Sequence, residues 1–178
     1  MPLPPPVEAL WQELEAVRSQ ILKEIEGLSQ RQADWRPAPS EWSVGEIIHH
    51  LTIAEIGTGK LTSKLLKEAP HPLPPFPADL KAFAPITGYE SGAQAPDVVR
   101  PEAGHPIGEL VANIKAARER SRQTLERVAT VDPRQFKWKH FRLGELDLGQ
   151  WWLLQARHDA DHFEQLRAIK AAPGFPKS

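Results

Sequence analysis

The sequence predicts an all-α fold: a four-helix up-and-down bundle in one domain over residues 1–178, with a long Pro-rich connection between its second and third helices. Three observations predict it. Four long stretches carry apolar residues at three- and four-residue steps, the spacing of a helix face turned toward a core. The 18 prolines crowd at the N-terminus, at 37–39, at 70–77 and in the C-terminal tail, where breaks between helices belong. Two of the four stretches also open with the same capping device.

The first helix is expected over about 7–28. Val7, Leu10, Trp11, Leu14, Val17, Ile21, Ile25 and Leu28 form its stripe, and Glu13, Arg18, Lys23 and Glu24 fall off it. The second is expected over about 43–69. Ser43 as N-cap and Glu46 three residues later make a capping box, and Trp42 before the cap can staple to Ile47. Val44, Ile47, Ile48, Leu51 and Ala54 make its face, Pro70 ends it, and Gly57 and Gly59 weaken its second half. Residues 70–105 read as one long connection anchored by Phe76, Phe83 and Tyr89, with a short helical turn near 78–83; loops of this length are usually functional or mobile. The third helix, about 106–130, starts on Pro106 as its first residue. The fourth, about 147–171, opens with Asp147 as cap, Gln150 three residues on, and Leu146 stapling to Trp151. Between them, Phe136 to Leu146 shows too little alternation to predict a sheet.

Composition narrows the function classes. With 22 basic and 23 acidic residues the formal charge is -1, so nothing draws the chain to nucleic acid or to an anionic membrane. No apolar run approaches the roughly 18 residues of a membrane helix, and Met1-Pro2-Leu3-Pro4-Pro5-Pro6 lacks the basic start of a signal peptide. Cysteine is absent. Disulfides, thiolate catalysis and sulfur ligation drop out, and a reducing cytoplasm is the expected setting.

The chemistry concentrates in histidine. On a helical wheel Trp151, Leu154, Gln155, His158, His162, Gln165, Leu166 and Ile169 share one face of the fourth helix, which puts both histidines near the middle of the stripe. Their Cβ atoms stand about 5–6 Å apart at i and i+4, so both rings reach one metal ion with bonds of about 2.0–2.1 Å. Two buried imidazoles without a shared partner would be costly. A third ligand must come from another element. His50 lies at the edge of the second helix's stripe and His49 nearly opposite it, which favours His50 and leaves His49 to solvent.

The run Glu41-Trp42-Ser43-Val44-Gly45-Glu46-Ile47-Ile48-His49-His50-Leu51, then Leu143-Gly144-Glu145-Leu146-Asp147-Leu148, then Arg157-His158-Asp159-Ala160-Asp161-His162-Phe163-Glu164-Gln165-Leu166, resembles the DinB/YfiT-like superfamily. It is most similar to the DinB-like branch, described as metal-dependent hydrolases. The resemblance extends from the first helix to the last. It implies a four-helix bundle, often dimeric, in which His50, His158 and His162 bind one divalent metal ion, nickel or zinc. These are the residues that helical phase selects.

Three neutral imidazoles leave at least one position open, the pattern of a catalytic zinc site. Such an ion lowers the pKa of bound water to about 7 and polarises a carbonyl, so hydrolysis of an amide- or ester-like bond in a small-molecule substrate is the expected reaction. Glu46, one turn before His50, is a candidate general acid or base, against its capping role. Asp159 and Asp161 are candidates to orient a ligand imidazole, or are solvated charges. Gln155 and Gln165 line the cavity or satisfy buried backbone. His140 belongs to the rim, and His71 and His105 to loops. Two other readings stand beside hydrolysis. One, implied by the same resemblance, is a thiol S-transferase, which basic residues such as Arg36, Arg100, Arg142 or Arg157 near the metal would favour. The other is a non-catalytic metal-binding stress-response or interaction module.

Overall fold

The computed structural model describes residues 2–90 and 95–178. Helix α1 spans Pro5–Ile25, starting ahead of its stripe because Pro5 and Pro6 occupy first-turn positions where a missing N–H costs nothing. It stops before Leu28, and Gly27 turns the chain away at φ +73°. A five-residue helix, α2 (Gln30–Asp34), follows behind a Ser29/Gln32 capping box. The sequence reading did not contain it; five residues are too few to show a period.

Helix α3 covers Val44–Glu68 and its capping box forms in full. The Glu46 N–H donates to Ser43 Oγ at 3.1 Å and the Ser43 N–H donates to Glu46 Oε2 at 2.8 Å. Gly57 and Gly59 do not interrupt it. Helix α4 covers Ile107–Val128, with Pro106 as the cap rather than the first helical residue. A two-stranded antiparallel hairpin then forms, β1 (Lys137–His140) and β2 (Gly144–Asp147), where no sheet was expected. Strand β1 is exposed along most of its length, so no alternation marks it. Helix α5 covers Leu148–Ala171 behind an Asp147/Gln150 capping box.

The four long helices make the bundle. α3 packs on α4 and on α5, and α1 packs on α5. One apolar layer holds Ile21, Ile25, Val44, Ile47, Ile48, Leu51, Leu110, Ile114, Leu166 and Ile169. A second holds Val7, Leu10, Leu14, Leu125, Val128, Trp152 and Ala156.

Along the helices, between these layers, lies a charged one. Arg18, expected off the α1 stripe, is 2% exposed and belongs to the core. Its Nη2 donates to Glu55 Oε2 at 2.7 Å and to Asp159 Oδ2 at 2.9 Å. Arg118 donates to Glu55 Oε1 at 2.8 Å, to Asp159 Oδ2 at 3.0 Å and to the Leu14 carbonyl. Ser121 donates to Glu55 at 2.6 Å. Two cations therefore face two anions inside the bundle, each helix contributing one, and the pairing offsets the cost of burying them.

The crossover from α3 to α4 is irregular. The helical turn expected near 78–83 is not there; only the Leu80 N–H reaches back to the Pro77 carbonyl, at 3.2 Å. Pro77 and Pro85 bracket the stretch, and a proline carries no N–H with which to continue a helical ladder. Phe76 and Phe83 pack on the second apolar layer, and a 3-10 turn forms at Asp97–Val99. Residues 91–94 of the expected 70–105 connection lie outside the described residues. Among the described residues no helix is long and apolar enough to cross a membrane.

Candidate metal centre

The site lies between α3 and α5 because each helix presents histidine at the edge of its buried face. On α5 the centre of that face belongs to Trp152, Ala156, Asp159 and Leu166, all buried. His158 and His162 are half-buried beside it rather than in the middle of the stripe as expected. The apolar residues alone put the centre of the stripe on the histidines, and the buried Asp159 moves its true centre round the helix. His50, on α3, is 2% exposed.

The three side chains converge through one atom each. His50 Nε2 and His158 Nε2 are 2.8 Å apart, and His162 Nε2 and His158 Nε2 are 3.1 Å apart. The far side of two rings is occupied. His50 Nδ1 lies 2.6 Å from the Val99 carbonyl oxygen and His162 Nδ1 lies 2.8 Å from Gln165 Oε1. Both oxygens accept only, so both Nδ1 atoms carry the proton and both Nε2 atoms carry a lone pair. A single proton on His158 Nε2 satisfies one of these lone pairs and not the other. A cation about 2.0–2.1 Å from each nitrogen satisfies all three, so the donor set fits a divalent metal ion.

Electrostatics prepare the same state. Burial pushes His50 down to about 4, with the charge that His162 would carry adding to the effect and the Val99 carbonyl opposing it. Burial, then His162, His50 and His140, hold His158 well below the ordinary histidine value. Burial lowers His162 as well, against Gln165, Asp159 and Asp161. All three are neutral at pH 7, the form a metal requires. Trp42 closes one side: its ring centroid lies 4.9 Å from that of His50 and 6.1 Å from that of His162.

The other expected residues are dispersed. Glu46 is not free for proton transfer. It holds the Ser43 cap and takes a two-pronged ion pair from Arg36, at 2.9 and 2.6 Å. Asp159 orients no imidazole and is not solvated; it belongs to the charged layer, where burial pushes its carboxyl up against the pull of Arg18. Gln155 is buried with it, donating to Asp159 Oδ1 at 3.2 Å. Asp161 accepts from the Tyr89 hydroxyl rather than from a histidine. Of the four residues expected to line or orient the site, only Gln165 touches a converging ring. His49 is half-buried, not left to solvent: its Nδ1 accepts the Glu102 N–H at 2.9 Å. His140 meets Trp151 at a tilt, with ring centroids 5.2 Å apart.

Three participants were missed. Val99 acts through its carbonyl, which no side-chain pattern reveals. Tyr89 was foreseen as an anchor but not for its bond to Asp161. Trp42 was assigned to the helix start, and the same position puts it over the histidines.

Fold and site together define a class: a helical bundle with three neutral imidazoles, from two helices, facing one point at its edge. The profile of the DinB superfamily matches residues 13–166, and the chain belongs to that superfamily. It is 23% identical over 156 residues to the uncharacterized protein YuaE of Bacillus subtilis (strain 168), covering 86% of this chain and 92% of the relative. The crystal structure of TT2238, a four-helix bundle protein, superposes with a TM-score of 0.62 at 19% identity, covering 91% of this chain and 98% of that one. At that identity the likeness speaks for the fold.

Proposed function

We propose that the chain is a divalent-metal-dependent hydrolase acting on an amide- or ester-like bond of a small-molecule substrate. The observation that supports it is the convergence of three neutral Nε2 donors, two of them held from behind by Val99 and Gln165. Three protein ligands are the number found where a further position stays open to water or substrate. When bound, the ion supplies Lewis acidity and a more acidic water. His50, His158 and His162 would hold it. The Val99 carbonyl and Gln165 keep protons on Nδ1 and aim the lone pairs. Trp42 excludes water from its side of the centre. Zinc or nickel as the ion and a homodimer complete the proposal and rest on the family resemblance, and a cytoplasmic setting rests on the absence of cysteine.

One observation favours the thiol S-transferase as a second reading. The Arg157 guanidinium lies 5.3 Å from the Tyr89 ring centroid, and Arg142 reaches the adjacent Glu90 at 3.6 Å. Arg157 precedes His158 on α5, and both guanidiniums suit the carboxylates of a small thiol. Arg36 is held by Glu46 and Arg100 by Asp97.

Elemental analysis of wild type beside His50→Ala is the first test, followed by turnover of an amide and ester panel against thiol-conjugation assays. The expected result is metal-dependent hydrolysis lost in the variant. Conjugation without hydrolysis would move the assignment to the transferase, and a metal-loaded protein inert in both assays to a non-catalytic module.

A further inference from the structure

We propose a second divalent-cation site on the outer side of α3, formed by His49, Glu102 and His105, whose ion fastens the crossover to the bundle. It goes beyond the proposed function and uses none of the three converging histidines. One ligand atom from each of the three residues lies within 4.8 Å of the other two. Helical phase turns His49 away from His50's side of α3, and the stretch before α4 brings Glu102 and His105 to meet it.

The contacts inside this cluster are ones that a cation can replace. His49 Nδ1 accepts the Glu102 N–H at 2.9 Å, so its lone pair already points at the crossover. His105 Nε2 and Glu102 Oε2 are 3.0 Å apart with one proton between them, a separation that two ligands of one ion also adopt. The two imidazole rings stand 4.6 Å apart. Two imidazoles and a carboxylate suit zinc and its neighbours. The Glu102 side chain is 76% exposed and that of His105 30%, so an ion enters without any opening of the fold. Because it must displace the Glu102 N–H and compete with water, this site binds more weakly than a buried three-histidine centre.

The test is equilibrium dialysis of the full chain against zinc, read by elemental analysis, with circular dichroism to verify folding. Wild type should take up two zinc ions per chain. His50→Ala/His158→Ala and His49→Ala/His105→Ala should each take up one. Glu102→Gln, an exposed change that leaves the fold intact, should weaken the outer site about tenfold or more. Undiminished uptake in His49→Ala/His105→Ala overturns the proposal, as does a folded His50→Ala/His158→Ala chain that takes up none. One ion in wild type, lost with His49 and His105 but kept without His50 and His158, would uphold the outer site and sink the inner one.

Discussion

His49 and His50 are neighbours on α3 and have separate surroundings, because successive helical residues point about 100° apart. One ring meets the crossover at Glu102; the other meets His158 across the bundle. The partner behind each ring matters as much as the ring. Gln165 accepts from His162 Nδ1 and fixes which nitrogen faces the centre, so Gln165→Ala should lower metal affinity about 10- to 100-fold while the fold persists. Competition with a chromogenic chelator measures this, and an unchanged affinity would remove Gln165 from the site. A carboxylate at the same position keeps an accepting oxygen, so Gln165→Glu should retain most of the affinity that Gln165→Ala loses. The three histidine positions were legible from helical phase. The lone-pair direction of His50 was not, because it depends on a carbonyl 49 residues away in the chain.

At the scale of elements, the helix starts were the most legible feature. A capping box is closed by residues three apart, so Ser43/Glu46 and Asp147/Gln150 needed no tertiary information. Ser43→Ala should cost about 1 kcal/mol in urea denaturation, and a larger loss would show that Arg36 and Glu46 depend on the cap. The crossover was the least legible, since its order comes from packing on surfaces made elsewhere. Gly149 shows how close that packing is: a Cβ there would lie 2.6 Å from Phe83 Cδ1 and 2.8 Å from its Cγ. Gly149→Ala should therefore displace Phe83 and cost up to about 2 kcal/mol, the overpacking penalty less the gain in helix propensity. Limited proteolysis should then cut the crossover faster, and an unaltered digest would mean that Phe83 does not hold it.

For the whole molecule, the charged layer sets how four helices register with one another. Apolar faces tolerate sliding and rotation, whereas Arg18 and Arg118 must each meet both Glu55 and Asp159. Arg118→Met leaves two buried carboxylates sharing one guanidinium and should cost about 3–5 kcal/mol, read as a fall in denaturation midpoint. A loss below about 1 kcal/mol would place little of the stability in this layer. The layer also carries a pH dependence. Burial pushes Glu55 up, but Arg18 and Arg118 outweigh it and hold its carboxyl below the ordinary 4.5. A carboxyl lowered on folding contributes stability that is present above its unfolded value and lost as pH falls through its folded one. The share of stability due to Glu55 should thus drop as pH falls below 4.5, opposed by the raised carboxyl of Asp159, and Glu55→Gln should show a flatter acid limb in the same titration. Equal slopes would refute the assignment.

The sequence by itself determined the four long helices, the capping boxes of α3 and α5, and the three histidines whose phase and resemblance agree. Each of these is written in spacings of three or four residues, within one or two helical turns. Tertiary structure alone decided the rest: that Arg18 and Asp159 are core, that Glu46 is spent on Arg36, that Val99 and Trp42 frame the centre, and that His49 meets Glu102 and His105. Those contacts join residues far apart in the chain, and a charged side chain shows whether it is buried only when its partners arrive from other helices.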